Sequence, residues 1–446
     1  MKIQLVNPAM GKRTGERYVR SWSMQPLNIA VLSALTPDEH EVSFMDDRFD
    51  EVDYDVEADL VAIPVETYTA RRAYSIARRF QDRGVPVVLG GIQASLVPEE
   101  VAAHGDSVMV GDAEHAWARI VTDAARGELR PRYDEARTSG ELAHVRPDRS
   151  IYGERPYLPL AMVEAGRGCP FNCDFCAIAG SYESTYRAKD IDAIVEDVAG
   201  LDSDLLYFVD DNFVSRPRRT RELAAAIRAL DKRWFSHGSI TMANDDDLLA
   251  RMAESGCANI LIGFESLDQA TLEAMGKSWN TRRYEYGEAL AKLRDHGITV
   301  YGTFVFGYDT QTLDDVKRTL EFAIEERLCL AAFNHLVPFP GTPLYRRLRA
   351  EGRLLDDDWW LSDEGSFGEV TFRPRNMTAE KLAEACYDAR RDFYRFGSVL
   401  RRARDFKANL RDPYSAFTYF AVNLVSNKGI KRRQGWPVGR EDDGAP

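Results

Sequence analysis

Three of the six cysteines lie within eight residues of one another, at Cys169, Cys173 and Cys176. On a loop with glycines and one proline, thiolates at these spacings can wrap around three corners of a [4Fe–4S] cubane, which proteins normally hold with four cysteines. The fourth iron then stays open to a chelating ligand, and S-adenosylmethionine offers an amino and a carboxylate group for that role. An electron from the cluster would cleave the sulfonium and release a 5′-deoxyadenosyl radical.

Two other uses of these thiols are weighed against the cluster. A structural zinc site needs a fourth ligand close by, and no His or Cys lies between Cys176 and His237. A disulfide would leave one cysteine unpaired and would suit an oxidising compartment. The spacing therefore favours the cluster.

The elements around this loop alternate between strand and helix. Six strands are predicted, at residues 160–164, 205–209, 236–242, 259–264, 299–306 and 331–337. Helices between them predict a partial (βα)6 TIM-type barrel, and the cysteine loop follows its first strand. Active sites of such barrels lie at the carboxyl ends of the strands.

An earlier alternating series predicts a doubly wound, Rossmann-like sheet. Its strands are predicted at residues 2–6, 41–45, 60–65, 85–89 and 107–110, with helices at 26–35, 70–83 and 115–125. Ligands bind such sheets beyond the carboxyl ends of the strands. Gly90, Gly91 and Gly111 lie there, and they are either ligand-facing or simple turn glycines.

The predicted organisation is an α/β chain in four parts. Residues 1–126 form the Rossmann-like domain, 127–159 a polar linker, 160–343 the partial barrel, and 344–446 a C-terminal helical region. In the last part Val399, Ala403, Phe406 and Leu410 recur at helical spacing, which predicts a packed stripe with the arginines facing outwards. A solvated basic face is favoured there over contact with a membrane surface.

Composition excludes several classes of protein. The 446 residues include 58 Lys and Arg against 71 Asp and Glu, a formal net charge of −13, which argues against a nucleic-acid partner. No apolar run reaches the length of a transmembrane helix, and the first residues do not resemble a signal peptide. A cytoplasmic location is therefore expected.

The cysteine motif and its context resemble the radical SAM superfamily. Further motifs carry the resemblance: Tyr207–Phe213 after the second barrel strand, Gly263-Phe264-Glu265-Ser266, Phe304–Gly307, and the Pro-x-Pro-Gly-Thr-x-Leu-Tyr pattern at residues 338–345. The resemblance implies cluster ligation by the three cysteines. It further implies that S-adenosylmethionine is contacted by Phe175, Asp210, Asp211, Asn212, Glu265, Phe306 and Gly307.

The order of the parts resembles the subgroup of this superfamily with an N-terminal cobalamin (B12)-binding domain. This resemblance implies cobalamin contacts at strand ends, from Thr67, Gly90, Gly91, Gln93, Gly111 and Glu114. One departure concerns the D-x-H-x-x-G pattern whose His ligates cobalt. Asp38-Glu39-His40 begins that pattern, but Ser43 stands where Gly is required. Gln93 stands where some relatives have His.

Members of the subgroup suggest a cobalamin-dependent C-methyltransferase that acts on an unactivated carbon in a lipid or secondary-metabolite pathway. The alternative is a radical SAM enzyme of rearrangement, ring contraction, cyclisation or carbon–carbon coupling whose cobalamin domain is vestigial, and a more remote one is a non-catalytic iron–sulfur protein. Expected partners are a small-molecule or lipid-like substrate and an electron donor such as flavodoxin or ferredoxin. Tyr308 and His335 are weak candidates for a further catalytic group, and His335 is better explained as a core histidine.

Overall fold

The computed structural model describes residues 1–135, 142–280 and 285–442. Its first sheet has six parallel strands, ordered β2-β1-β3-β4-β5-β6. They are β1 (Lys2–Asn7), β2 (Glu41–Asp46), β3 (Leu60–Pro64), β4 (Val87–Gly90), β5 (Ser107–Val110) and β6 (Arg132–Asp134). The strand order reverses between β1 and β3, and such a switch point opens a crevice beyond the carboxyl ends of the strands.

Helices cover both faces of this sheet. They are α1 (Leu27–Leu35), α2 (Ala70–Gln81), α3 (Ile92–Leu96), α4 (Pro98–Ala102) and α5 (Trp117–Ala125). Ile29 of α1 and Trp117 of α5 share one apolar core. Phe80 of α2 and Val101 of α4 share the core on the other face. Because both faces are covered, strand β3 is apolar without alternation, as expected for a buried parallel sheet.

The second large sheet is also parallel, with the order β14-β13-β12-β11-β10-β7. An antiparallel pair, β8 and β9, follows its first strand. The strands are β7 (Ala161–Val163), β8 (Gly166–Gly168), β9 (Tyr186–Ala188), β10 (Leu205–Phe208), β11 (Arg233–Gly238), β12 (Cys257–Glu265), β13 (Thr299–Phe306) and β14 (Leu330–His335). Along β13, Phe304 is buried against the helices, whereas Tyr301 and Thr303 on the opposite face are only partly buried.

Seven helices are described between these strands, and four of them begin at a side-chain cap. They are α6 (Ala177–Tyr182), α7 (Ile191–Ala199), α8 (Pro217–Ile227), α9 (Asp246–Glu254), α10 (Gln269–Ala274), α11 (Tyr286–Asp295) and α12 (Leu313–Glu325). Asp190 and Asp245 accept from backbone N–H groups at the starts of α7 and α9, and Thr312 forms a capping box for α12.

All six strands predicted for the second sheet are present. The third begins and ends earlier than predicted, because residues 240–244 form a 3-10 turn instead of a strand. The predicted helix at 281–296 is found as α11, and its first predicted residues, 281–284, lie outside the described residues. The mixed α/β class with parallel sheets is confirmed.

The predicted linker contains ordered secondary structure. Arg132–Asp134 pairs in parallel with Val108–Val110, so this stretch supplies the last strand of the first sheet. The prediction missed it because β6 has a single buried residue, Tyr133, between two exposed charged ones. Residues 136–141 of the predicted linker lie outside the described residues.

The C-terminal region is mainly helical, with α13 (Pro343–Ala350), α14 (Ala379–Phe393), α15 (Phe396–Arg402) and α16 (Pro413–Arg433). The chain then returns to the first domain, where Glu441–Asp442 pairs in parallel with Lys12–Arg13. The indole N–H of Trp436 donates to the carbonyl of Gly11 at 2.9 Å. The C-terminal region is therefore fastened to the N-terminal one.

The predicted helical stripe is only partly correct. Val399 and Ala403 are buried, but Phe406 is 72% exposed because α15 ends at Arg402 and the helical spacing stops there. The arginines do not all face outwards, because Arg402 is fully buried.

Arg402 fastens four chain segments together. Its guanidinium donates to the carbonyls of Leu328, Cys329 and Phe393 and to Oδ1 of Asn423, at 2.8–2.9 Å. It also lies 3.7 Å from the centre of the Phe393 ring. Loss of this side chain would leave buried carbonyls without donors, which costs about 1–3 kcal/mol for each.

We expect Arg402→Ala to lower the free energy of unfolding by at least about 3 kcal/mol. The adjacent exposed residue gives the matched control, and Arg401→Ala should stay within about 0.5 kcal/mol of the wild type. Urea denaturation followed by circular dichroism measures both. Equal midpoints for the two variants would contradict the assignment.

Candidate cofactor-binding site

The cysteine loop leaves the second sheet through the β8–β9 pair. Gly168 ends β8 with φ +88°, and a Cβ there would lie 2.2 Å from the carbonyl oxygen of Thr185, so glycine is required. Its N–H donates to Oδ2 of Asp211 at 2.8 Å. The loop therefore starts in a fixed geometry, and α6 begins directly after Cys176.

The three thiols lie close enough to influence one another electrostatically. Burial raises the pKa of all three, that of Cys173 to about 12, and the neighbouring thiols Cys176 and Cys169 raise it further. The ammonium of Lys277 lowers the pKa of Cys173. One buried and two partly buried thiols suit ligation of a soft cluster, because metal binding deprotonates them.

The end of β10 brings three polar residues to this loop, and they differ in role. Asp210 is fully buried and accepts from the N–H of Ala165 at 2.8 Å, which ties β10 to the residue that follows β7. Asp211 holds Gly168, as described above. Asn212 lies with its amide nitrogen 3.8 Å from Sγ of Cys169.

Asn212 has an unused acceptor beside the cysteines. Among the described residues its buried Oδ1 has no hydrogen-bond partner. A buried acceptor without a donor is costly, and an ammonium group would satisfy it. The unused Oδ1 of Asn212 is therefore the acceptor that could take the amino group of S-adenosylmethionine, whereas Asp210 and Asp211 both accept from the backbone.

Glu265 stands at the end of β12 in an unusual conformation. Its φ of +62° is uncommon for a residue with a side chain. Lys277 donates to Oε1 of Glu265 at 2.7 Å and to the carbonyl of Gly263 at 2.8 Å. Burial alone would lower the pKa of Lys277, but the Glu265 carboxylate outweighs it and raises that pKa.

The remaining predicted contacts to S-adenosylmethionine are largely core residues. The side chain of Phe306 is buried and stacks near Phe333. Gly307 has φ +114°, and a Cβ there would lie 2.8 Å from Leu382. Only their backbone can face a ligand. Phe175 is partly buried against the core.

The two weak catalytic candidates differ in position. The hydroxyl of Tyr308 donates to Asp174, which lies between Cys173 and Cys176, so Tyr308 braces the cysteine loop. His335 is buried at the end of β14, where burial lowers its pKa to about 4 and its Nδ1 lies 3.2 Å from the carbonyl of Leu336. Its neutral, core-like setting matches the simpler interpretation.

A cavity of about 340 Å³ opens beyond the carboxyl ends of the first sheet. Gly90, Gly91, Gly111 and Glu114 line it, as the sequence predicts for strand-end residues. Cβ atoms at Gly91 and Gly111 would lie 2.8 and 2.5 Å from the carbonyl oxygens of Val65 and Glu135. The other side of the cavity is formed by residues that flank the cysteine loop, namely Glu164, Arg167, Ser181 and Tyr182, and by Val209 after β10.

Thr67 and Gln93 are not among the residues that line this cavity. The hydroxyl of Thr67 donates to Oε1 of Gln93 at 2.8 Å, and both side chains are buried. They fix the loop after β3 instead of facing the cavity. His40 lies at the amino end of β2, and its Nδ1 is 3.2 Å from the N-terminal amine. It is therefore at the opposite end of the strands from the cavity.

A buried ion network joins the cavity to the cysteine loop. Arg167, two residues before Cys169, pairs with Glu164 and with Glu114 at 2.7 Å, and with Asp112 at 2.9 Å. Burial disfavours its charge, but the carboxylates outweigh this and raise its pKa well above the ordinary value. Lys189 and Arg167 hold the pKa of Glu164 near 2 against its burial.

Sequence reasoning missed Arg167 and Lys277. Both are charged residues in positions that the structure buries, and a single sequence does not reveal burial. Arg167 carried one signal, since it lies inside the glycine-rich approach to Cys169. Lys277 lies between α10 and α11 and carried none.

Comparison with known proteins adds to this geometry. Residues 163–323 match the radical SAM superfamily model, and residues 342–431 match a domain of unknown function, DUF4070. The bacteriochlorophyllide d C-8(2)-methyltransferase of Chlorobaculum tepidum is 30% identical over 352 residues, which cover 74% of this chain and 77% of that one. The C-12(1)-methyltransferase of the same organism is 28% identical and covers 90% of this chain and 89% of its own.

A solved structure has the same fold. It is the radical S-adenosylmethionine methyltransferase TsrM from Kitasatospora setae with cobalamin and a [4Fe–4S] cluster bound. The TM-score is 0.63 at 16% identity, and the match covers 78% of this chain and 75% of that one.

The Asp210 carboxyl predicts a pH dependence of stability. Burial raises its pKa to about 7, from 3.8 when exposed. Between these two values the folded chain keeps a proton that the unfolded chain has lost, so this group makes the fold less stable as pH rises through that window. Asp210→Asn removes the effect. We expect the unfolding free energy of the variant to gain on the wild type from about pH 4 to about pH 7, and then to level off.

Urea denaturation at a series of pH values measures this difference. Asp202→Asn, at an exposed position, is the control and should show no such trend. A difference between Asp210→Asn and wild type that does not change with pH would contradict the assignment.

Proposed function

This chain belongs to the radical SAM superfamily, in the subgroup with an N-terminal cobalamin-binding domain, and we propose that it is a cobalamin-dependent C-methyltransferase. One observation carries the proposal. A single cavity is lined on one side by the glycines at the strand ends of the first sheet and on the other by residues that flank the cysteine loop. Two cofactors held at these two places would face each other.

Residues of the cysteine loop would hold the first cofactor pair. Cys169, Cys173 and Cys176 would ligate a [4Fe–4S] cluster. Asn212, Asp211 and Glu265 would contact S-adenosylmethionine, and the backbone at Phe306 and Gly307, with Phe175, would border its adenine. Tyr308 and Lys277 keep this loop and Glu265 in place.

The first sheet would hold cobalamin. Gly90, Gly91 and Gly111 let a ligand approach the backbone. A volume of about 340 Å³ would take a part of cobalamin. Glu114 would hold this wall of the cavity in place through its ion pair with Arg167. The hydrogen bond between Thr67 and Gln93 would fix the loop after β3. When bound, the cluster and S-adenosylmethionine supply a 5′-deoxyadenosyl radical and cobalamin supplies a methyl group.

The domain division follows from the same proposal. Residues 1–134 are the cobalamin-binding part, extended past 126 by strand β6. Residues 160–343 are the partial barrel of the radical chemistry, and the segment after 344 covers it. Six free cysteines suit the reducing cytoplasm. A carrier such as flavodoxin or ferredoxin would supply the electron.

The substrate is proposed to be small or lipid-like and largely apolar. Two similar methyltransferases are named for bacteriochlorophyllide d. The partly exposed face of the second sheet presents Tyr207, Phe235 and Tyr301, and the Tyr207 and Phe235 rings stack at 4.6 Å. Beside them His237 is held by the Tyr207 hydroxyl at 2.6 Å, and burial keeps its pKa near 4. Neutral aromatic surfaces of this kind favour an apolar ring or chain.

We expect Cys176→Ala to lose most of the iron after anaerobic reconstitution, together with cleavage of S-adenosylmethionine to 5′-deoxyadenosine. Only three thiols are available to hold the cluster, so loss of one removes a third of its ligands. Iron content and visible absorbance measure the cluster, and the amount of 5′-deoxyadenosine formed measures cleavage.

Cys257→Ala is the matched control, because Cys257 is a buried core thiol away from the loop. It should retain iron and cleavage. Full cleavage by Cys176→Ala would refute the cluster assignment.

Gly90→Val tests the cobalamin site. Gly90 has no positive φ, and its Cβ would meet Met109 only at 3.6 Å, so valine adds bulk to the cavity without backbone strain. We expect at least a tenfold loss of bound cobalamin, with iron and S-adenosylmethionine cleavage retained. Gly397→Val, at a position with open space, is the control.

The outcome also separates the candidate functions. Methyl transfer is supported if the wild-type chain binds nearly one cobalamin and forms a product heavier by one methyl group. Gly90→Val should lose both the cobalamin and that product. A wild-type chain that lacks cobalamin and still cleaves S-adenosylmethionine would refute methyl transfer and favour rearrangement, cyclisation or coupling. A cluster that never cleaves S-adenosylmethionine would point to a non-catalytic iron–sulfur protein.

A further inference from the structure

Helix α16 carries an apolar stripe on the side that faces away from the protein. Phe417 is 74% exposed, and Phe420 and Leu424 follow at intervals of three and four residues, which places them on one face of a helix. Tyr419 and Asn423 are buried on the opposite face. The helix therefore has a packed side and a second, solvent-facing apolar side.

Helix α15 adds to this exposed surface. Phe396 is 76% exposed, and Leu400 lies one turn further along on the same face. The two helices are fixed to each other, because the hydroxyl of Tyr419 donates to the carbonyl of Val399 at 2.7 Å and Arg402 donates to Asn423. We call the exposed side chains Phe396, Leu400, Phe417, Phe420 and Leu424 the outer apolar surface.

Exposed aromatic and leucine side chains on two helices that are fixed to each other indicate a binding surface. Its charge indicates what it binds. Residues 395–433 contain ten Lys or Arg and two Asp, a net charge of +8 in a chain whose net charge is −13. Lys428 and Lys431 continue the stripe of α16 beyond Leu424, and within the described part of the chain neither has an acidic partner.

The charge argues against a second copy of the chain as the occupant. A two-fold interface brings the same patch against itself, so two surfaces with an excess of positive charge would meet. Juxtaposed like charges cost several kcal/mol in an interface. An occupant with a dense negative charge and an apolar interior fits both properties of the surface.

We propose that the outer apolar surface docks on a membrane that contains anionic lipids. Aromatic and leucine side chains enter the boundary between headgroups and acyl chains, while Lys and Arg contact lipid phosphates. Helix α16 lies along the membrane, and no helix in the described ranges is long and apolar enough to cross one. This inference does not depend on methyl transfer. The sequence pattern favours a solvated basic face in this region, because a sequence alone does not show that these phenylalanines are exposed.

Flotation with lipid vesicles tests the proposal with the full-length, cluster-loaded protein. Vesicles of phosphatidylcholine with about 30% phosphatidylglycerol are compared with pure phosphatidylcholine. We expect binding to the anionic vesicles and at least tenfold weaker binding to the neutral ones. Raising the salt from about 0.1 M to about 1 M should weaken the first, because it screens the attraction of exposed charges.

Phe417→Ser/Phe420→Ser should lower binding to the anionic vesicles at least tenfold. Because both side chains are solvent-exposed, we expect unchanged iron content and circular dichroism. Leu355→Ser, which changes an exposed apolar residue outside the surface, is the matched control and should bind as the wild type does. Lys428→Glu/Lys431→Glu should also weaken binding, and by more at low salt.

Three results would overturn the proposal. The first is a wild-type chain that does not float with anionic vesicles. The second is equal flotation of the phenylalanine variant and the wild type. The third is a wild-type chain that does not bind vesicles but forms a dimer in sedimentation velocity, with the dimer abolished in the phenylalanine variant. That result would assign the surface to a second copy of the chain. Cleavage of S-adenosylmethionine is measured in parallel, and its failure with docking intact would instead count against the proposed function.

Discussion

The arrangement of this protein depends on one buried guanidinium. Arg167 lies on β8, the strand that leads into the cysteine loop, and it pairs with carboxylates that follow strands of both large sheets. Glu164 directly follows β7 of the second sheet, whereas Asp112 and Glu114 follow β5 of the first. The carboxyl ends of the two sheets are thereby joined at the place where the cavity opens.

A buried network of this kind is costly to form and costly to break. Each charge loses several kcal/mol of hydration, which its partners repay only when every charge is paired. Here Arg187 adds a second cation beside Asp112, and Lys189 adds one beside Glu164. Such pairing contributes little to net stability, but it penalises any arrangement that separates the sheets. It therefore fixes the distance between glycine-lined cavity and cysteine loop.

The two ends of the chain contribute differently to this arrangement. The N-terminal sheet provides one wall of the cavity. The C-terminal region returns to that sheet through Trp436 and the short strand pair, so it closes around both parts. Arg402 fixes the middle of the region by donating to carbonyls just before β14 and at the end of α14. The apolar side of α16 is left facing outwards because its inner side is already occupied.

The amino-acid sequence alone determined the cysteine spacing, the strand–helix alternation and the strand-end glycines. These are local patterns, so residue type, period and neighbours along the chain are enough to identify them. That is why six barrel strands and the cavity glycines were predicted. Which charges are buried, and against what, was decided only by the tertiary structure. Arg402 and Arg401 are adjacent and chemically identical, yet one is enclosed and the other solvated. Asp210 and Asp211 likewise take different partners, because partners distant in sequence meet only when the chain folds.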